Sequence, residues 1–286
     1  MDDLNLLFNQ FIPPIVFDIM LSMGLSLSAG DFLRVVKFPK AAIIGLLGQL
    51  LLLPTLAFLL AFLLRVPPEI AVGGMLLAAC PGGITSNGYV FVGRGDVGLS
   101  VTLTAITSIV TVFTIPLITW FSLNYFEAVS ISAELPISTM FERLVTITAI
   151  PVCLGMLVHH RWPNVVTRNL RILRKTSLLL LIVMMVGVTI GTWDTIQQHL
   201  ISAGLLAVSI NLISSASGYL LGKRFGLPEI QVRTITFEIG VQNPSLAILV
   251  AIGILNQPEF ATLAVIYALV MKTTALSLLY FWRKSA

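Results

Sequence analysis

The chain has 286 residues, of which 57% are apolar and 10% are charged. Soluble domains carry about 25% charged residues, so soluble, disordered and nucleic-acid-binding classes are excluded, and the net charge of +4 needs another explanation. Two cysteines, Cys80 and Cys153, rule out a disulfide scaffold and are expected as ordinary buried thiols. Apolar runs that are continuous rather than alternating speak against an outer-membrane barrel. An all-α polytopic membrane protein remains.

A helix needs about 20 mostly apolar residues to cross the hydrocarbon core. Nine stretches qualify, at roughly 12–30, 40–64, 70–93, 97–123, 137–159, 175–193, 199–222, 229–255 and 259–282, so nine transmembrane helices are expected with no soluble domain between them. The first follows Met1-Asp2-Asp3-Leu4-Asn5, which lacks the positive region of a secretory signal, and reads as a retained span bearing Asp18. The second carries Gln49. The third is interrupted by Cys80-Pro81-Gly82-Gly83-Ile84-Thr85-Ser86-Asn87, and the fourth places Ser100 and Thr104 at i,i+4 on one helix face. The fifth has Glu142 and Arg143 near its outer end and closes on His159, His160 and Arg161, expected in a solvated loop. The basic run from Arg168 to Lys175 reads as a headgroup-facing loop before the sixth. The eighth is interrupted by Glu238-Ile239-Gly240-Val241-Gln242-Asn243-Pro244, and the ninth carries Lys272 in mid-span.

Basic residues fix the orientation. Arg34, Lys37, Lys40, Arg94, the Arg161–Lys175 group, Lys223, Arg224, Arg233, Arg283 and Lys284 fall in one set of connections, while the alternate set holds Arg65 with most of the acids. Nine spans then put the N-terminus outside and the C-terminus in the cytoplasm. The net charge is a topology signal. The missing targeting segment fits a bacterial inner membrane.

Pro68-Glu69-Ile70-Ala71-Val72 recurs as Pro228-Glu229-Ile230-Gln231-Val232, an offset of 160 that also superimposes the two interruptions. By the charge pattern one copy starts outside and the other inside. Inverted repeats with one interrupted helix each are a secondary-transporter signature, and the interruptions point to the substrate and ion sites. The repeats are uneven: 12–123 supplies four helices and 137–282 supplies five, so the first copy lacks its first helix.

Proline removes a backbone donor and paired glycines tolerate unwound backbone. Carbonyls freed in a membrane must be satisfied by protein, water or ligand. A carboxylate at such a break is costly, by about 3 kcal/mol on insertion scales, and marks a functional site. Glu238 with the neutral oxygens of Gln242, Asn243, Ser86, Asn87, Gln49, Ser100 and Thr104 has the composition of a monovalent-cation site.

These residues carry a resemblance. Cys80-Pro-Gly-Gly-x-x-Ser86-Asn87, Arg94-Gly95-Asp96-x-x-Leu99-Ser100-x-x-x-Thr104 and Glu238-x-Gly240-x-Gln242-Asn243 resemble the bile acid:sodium symporter family. Gly24-Leu25-x-Leu27-x-x-x-Asp31-Phe32 and Pro39-Lys40 up to Gln49 fit the same pattern. The resemblance implies a core domain (40–123 and 199–282), in which the broken helices cross, and a panel domain (12–30 and 137–193). It implies one Na⁺ site at Ser86, Asn87, Ser100, Thr104 and Glu238. A second would use Gln49, Glu238, Gln242 and the carbonyls of Ile239 and Val241. Substrates would be organic anions such as bile acids, sterol conjugates or small carboxylates. The substrate-facing set would be Ile84, Thr85, Asn243 and Pro244, with Lys272 and Asp18 as further candidates. Many relatives have ten spans, in agreement with the uneven repeat.

Lys272 leaves three readings open: a partner for Glu238, a substitute for one cation, or a ligand for the substrate carboxylate. Asp18 has two, an ion pair with Arg143 or a place in the substrate cavity. The expected function is a sodium-coupled symporter of organic anions working by alternating access, with no enzymatic activity. The rival is a proton-coupled or uncoupled carrier in which Lys272 replaces a sodium ion. An intramembrane enzyme would need paired catalytic acids or a metal set, and the interior acids are scattered.

Overall fold

The computed structural model describes residues 2–28, 30–32, 35, 38–126 and 137–284, with the side chains of residues 2–9, 84, 171, 174 and 284 left out. Eleven longer helices follow in order: α1 (Asp2–Leu25), α2 (Pro39–Leu64), α3 (Pro68–Ala79), α4 (Ile84–Val92), α5 (Val97–Tyr125), α6 (Ile137–Arg161), α7 (Pro163–Gly191), α8 (Trp193–Arg224), α9 (Glu229–Gly240), α10 (Pro244–Ile254) and α11 (Thr262–Lys284). Among the described residues the sole extended pairing is one isolated bridge between Gly82 and Gln242.

Proline sets many of the boundaries. Pro39, Pro68, Pro163 and Pro244 stand in the first turns of α2, α3, α7 and α10, where a missing N–H is harmless. Inside helices proline leaves a wider signature. Pro54 and Pro151 cannot donate to the preceding turn, and π-helical segments, Gly48–Leu52 and Val145–Ala149, form just before them. There Leu53 N–H reaches Gly48 O and Ile150 N–H reaches Val145 O. Gln49 sits in the first of these segments.

Each of the nine apolar stretches falls on a helix or, for the third and eighth, on an interrupted pair (α3/α4 and α9/α10). Among the described residues five helices are long and apolar enough to cross a membrane, namely α2, α5, α6, α8 and the stretch Pro258–Arg283. α7 joins them if its 54° bend is counted within one span. Large apolar side chains such as Leu63, Phe113, Leu157, Ile190, Ile201 and Leu269 stand exposed on these helices, while α3, α9 and α10 are buried along most of their length. An apolar outside around an interior with many polar residues is the arrangement of a multi-pass membrane protein.

Several expectations need correction. The first helix ends at Leu25 rather than near residue 30, because Ser26 and Leu27 N–H groups turn back onto Met23 and Gly24 carbonyls. Ser28 then holds the Asp31 carboxylate with its N–H and hydroxyl. The basic run Arg168–Lys175 is part of helix α7, since Arg and Lys are good helix formers and Pro163 has already started the helix. His159 lies in the last turn of α6 with its Nδ1 2.9 Å from Leu27 O, so it is a packing residue, while His160 is exposed in the same turn. Cys80 is buried as expected, but Cys153 is exposed.

Helix packing is uneven across the molecule. α1 runs along α6 and α7, whereas α8 packs on α9, α11 and α2, and α3 packs on α2 and α5. α1 also meets α10, and α5 meets α6. The α1–α6 contact is close because it is made through glycines. A Cβ on Gly24 would lie 2.2 Å from Val152 O, and one on Gly155 would lie 2.5 Å from Leu21 O.

Candidate functional site

The two interrupted helices cross at their breaks. Gly82, in the break Cys80–Gly83, forms an antiparallel bridge with Gln242, in the break 241–243. Asn243 N–H donates to Pro81 O at 3.1 Å. Each break thus satisfies part of the other's unwound backbone. The Gly240 carbonyl, which ends α9, accepts from Asn211 Nδ2 at 2.7 Å and from the Tyr267 hydroxyl at 2.9 Å. Both breaks are shorter than the sequence suggests. Helix resumes at Ile84, so Ser86 and Asn87 lie in the first turn of α4, and Glu238 lies in the last turn of α9.

Glu238 is fully buried, and hydroxyls from three places converge on it. Ser86 Oγ donates to Oε1 at 2.7 Å, Ser100 Oγ to Oε1 at 2.6 Å, and Thr104 Oγ1 to Oε2 at 3.0 Å. Ser100 Oγ also stands 2.5 Å from Asn87 Oδ1. Ser100 and Thr104 come from one face of α5, aligned by the four-residue spacing, and Asp96 caps that helix by accepting from Leu99 N–H. The ion pairs found among the described residues do not involve Glu238. Among the described residues this carboxyl group is met by hydroxyl dipoles and by no cationic side chain.

A second set of oxygens lies behind the carboxylate. Gln49 Nε2 donates to Glu238 O at 2.8 Å, and Gln242 Nε2 donates to Ile239 O at 2.9 Å. The Oε1 atoms of both glutamines are buried without a donor. Two orphaned acceptors beside a carboxylate cost free energy unless a donor or cation satisfies them. A monovalent cation taking oxygen ligands fits both sets. The hydroxyls keep lone pairs free for it on one side, and the amide oxygens lack any other partner on the other.

Gly82 separates the two sets. A Cβ there would meet Glu238 Oε2 at 2.8 Å, Gln49 Nε2 at 3.0 Å and Thr104 Oγ1 at 3.4 Å. The space that brings both sets to one carboxylate exists because this residue has no side chain.

The other expected residues divide. Thr85 and Pro244 flank the crossing, at the first turns of α4 and α10. Asn243 caps α10: its Oδ1 accepts from Leu246 N–H at 3.2 Å and Ser245 Oγ at 2.6 Å. The side chain of Ile84 lies outside the described residues, while its carbonyl and that of Thr85 belong to α4. Lys272 does not join the cluster. It is exposed on α11, on the side of exposed Thr273 and Leu276, whereas Met271 and Ala275 face inward. An ammonium gains more from water or headgroups than from burial, so its pairing with Glu238 is overturned. Asp18 accepts from Ser177 Oγ at 3.0 Å across α1 and α7, and Arg143 donates to Gly253 O at 3.0 Å, so the expected Asp18–Arg143 pair is not formed. Sequence reasoning missed Asn211 and Tyr267. The lone amide side chain within the mostly apolar stretch 199–222 is the available signal for the first.

The sequence model of the sodium bile acid symporter family matches residues 13–199. A Bacillus subtilis protein named as a sodium-dependent transporter, YocS, is 30% identical over 272 residues, covering 93% of this chain and 81% of that protein. Human sodium/bile acid cotransporter 4 is 30% identical over 85% of this chain and 56% of its own length. The human ileal sodium/bile acid cotransporter is 29% identical over 80% of this chain and 65% of its own length. The chain therefore spans less than two thirds of either human protein.

Proposed function

The chain belongs to the sodium bile acid symporter family, and on that premise we propose that it is a sodium-coupled symporter of organic anions that works by alternating access. It is a transporter and not an enzyme. The observation that carries the reading is the Glu238 cluster: a fully buried carboxylate without a cationic side chain among the described residues, set where two broken helices cross, with hydroxyls before it and orphaned amide oxygens behind it.

Two Na⁺ ions would be held, one by Ser86, Asn87, Ser100, Thr104 and Glu238, the other by Gln49, Glu238, Gln242 and the carbonyls of Ile239 and Val241. Na⁺ bound there supplies the positive charge that a carboxylate in a low-dielectric interior lacks. The residues do the coupling. Glu238 belongs to α9, Ser86 and Asn87 to α4, Ser100 and Thr104 to α5, and Gln49 to α2. A cation that draws them together fixes the crossing, and by linkage whatever favours the fixed crossing favours the cation. The N-terminal ends of α4 and α10 carry partial positive charge, which suits the carboxylate of a bile acid or small organic acid beside Thr85, Asn243 and Pro244.

The packing of α1 along α6 and α7 supports a panel of these three helices that moves against a core of α2–α5 and α8–α11, across the contacts of α1 with α10 and of α5 with α6. The bridge from Gly82 to Gln242 joins positions 160 apart, the offset of the sequence repeat, as a twofold axis through the crossing would require. We take the nine-span count, the outside N-terminus and a bacterial inner membrane as parts of the same proposal. With Lys272 outside the cluster, no basic side chain among the described residues stands in for a second sodium ion, so the proton-coupled reading loses its motive.

The test is Glu238→Gln, which keeps the shape and removes the charge. In liposomes the parent chain is expected to take up organic anions in Na⁺ and not in choline, and Na⁺ is expected to raise its thermal midpoint. Glu238→Gln should lose both responses while eluting as a folded monodisperse protein. Retained Na⁺ responses in the variant sink the site assignment, and pH-driven uptake in choline sinks sodium coupling.

A further inference from the structure

A second polar site forms where three helix ends meet, away from the Glu238 cluster. The end of α4 (Val92, Gly93), the following Arg94, Arg233 of α9, and Leu279, Trp282 and Arg283 of α11 line a cavity of about 100 Å³. Three of these seven residues are arginines.

Arg233 is built into the fold, while Arg94 and Arg283 are exposed at the rim. Arg233 is mostly buried, with its side chain 12% exposed. It is held from two sides: Nη1 donates to Gly93 O at 3.2 Å, and the guanidinium lies 5.4 Å from the Trp282 ring. Trp282 is itself fixed edge-on to Phe237 at 5.2 Å. Arg233 Nε is buried and has no hydrogen-bond partner. Glu229 pairs with it at 3.5 Å through Oε1, a distance that suits an ion pair but is long for a hydrogen bond, while its Oε2 binds Lys223 at 2.6 Å. Arg94 has a left-handed backbone (φ 54°), and Gly93 could not carry a Cβ without meeting Phe237 at 2.7 Å. Neither Arg94 nor Arg283 has an ion-pair partner among the described residues. Asp96 is occupied in capping α5.

Three guanidinium groups, one with a buried Nε that has a carboxylate at 3.5 Å but no hydrogen bond, around a cavity of this size have the chemistry of an oxyanion site, since their planar forks match phosphate oxygens. Leu279 and Trp282 add an apolar wall at helix ends, where a lipid headgroup would pass into its acyl chains. We propose that this cavity binds a phosphate group, carried by an anionic phospholipid or present as free phosphate. The site is independent of the sodium cluster, although Arg233 precedes Glu238 in α9 and Arg94 joins the helices that bear Asn87 and Ser100.

The test is thermal unfolding of the purified full chain in detergent, at constant Na⁺ and ionic strength, with phosphatidylglycerol, diacylglycerol or inorganic phosphate added. Phosphatidylglycerol or phosphate should raise the midpoint, and diacylglycerol should not. Arg94→Asn, which suits the left-handed backbone, and Arg283→Gln remove exposed charges without breaking a described contact. Each should raise the half-saturating concentration about tenfold, as expected for loss of one charged hydrogen bond. A shift with phosphatidylglycerol alone assigns the site to lipid, and a shift with phosphate alone or with both assigns it to the free anion. An equal shift with diacylglycerol, no shift with either phosphate source, or an unchanged dose response in the double variant overturns the proposal. If Arg94→Asn alters the ligand-free midpoint, Arg283→Gln decides alone.

Discussion

The two breaks occupy equivalent places in the repeat and touch each other, yet they are built from opposite materials. The first, Cys80–Gly83, offers no polar side chain of its own beyond a thiol that donates to Leu76 O. Its contribution is room: Gly82 lets Glu238, Gln49 and Thr104 meet. The second, from Val241 to Asn243, offers side chains: Gln242 with its orphaned oxygen, Asn243 as the cap of α10, and Glu238 one turn before. A cation site at a twofold crossing does not need symmetric donors. One repeat can supply space, hydroxyls and the Gln49 amide while the other supplies the charge and the Gln242 amide.

Gly82→Ala attacks this division most directly and should have the largest effect. Its Cβ would stand 2.8 Å from Glu238 Oε2, closer than real contacts allow, and 3.0 Å from Gln49 Nε2, tighter than most. Overpacking of this kind costs about 1–3 kcal/mol, and the group displaced is the carboxylate itself. Na⁺-dependent thermal stabilisation is expected to vanish, and the midpoint without Na⁺ to fall. A variant that keeps the full Na⁺ shift would show that the room at Gly82 is incidental.

Much of this site is legible in the sequence, and the reasons are physical. Glu238, Gln242 and Gln49 stand out because polar groups in apolar spans are expensive. Ser100 and Thr104 stand out because four-residue spacing places them together. The end uses of these residues are not legible. Asn243 becomes a cap because Ser245 and Leu246 turn back on it, a geometry that sequence does not specify. Lys272 lies in a helix apolar on several sides, so its outward direction follows from how α11 packs on α8 and α3. Asn211 and Tyr267 reach Gly240 across 29 and 27 residues of chain. The helix through Arg168–Lys175 was missed because charge was read as a loop signal when it is compatible with helix.

The second break can be loosened in a graded way. Tyr267→Phe removes one of two donors to the Gly240 carbonyl and leaves Asn211 in place. A hydrogen bond of this sort contributes about 1 kcal/mol net, so the thermal midpoint should fall modestly with the Na⁺ response preserved. Adding Asn211→Leu orphans the carbonyl at the end of α9, and the combined loss should exceed the sum of the two single losses. Simple additivity in that cycle would mean that the carbonyl finds another donor and that the second break does not depend on these side chains.

Gly83→Ala should have the smallest effect, and it isolates what is special about its neighbour. Gly83 has an extended backbone (φ −106°, ψ 169°) open to any residue. The nearest atom to an added Cβ is Thr85 Oγ1 at 3.3 Å, the end of a side chain that can rotate, and the next is Gln242 O at an ordinary 3.7 Å. Two terms oppose each other. Alanine restricts the unfolded chain, a gain of about 0.4–1 kcal/mol, but it is a poorer cap than glycine for α4, a loss of similar size. The midpoint is therefore expected to stay within the scatter of surface substitutions, about 0.5 kcal/mol, with the Na⁺ shift intact. Adjacent glycines would then give opposite outcomes from the same added methyl group. A Gly83→Ala variant as damaged as Gly82→Ala would place the requirement in the flexibility of the paired glycines and not in the space beside Glu238.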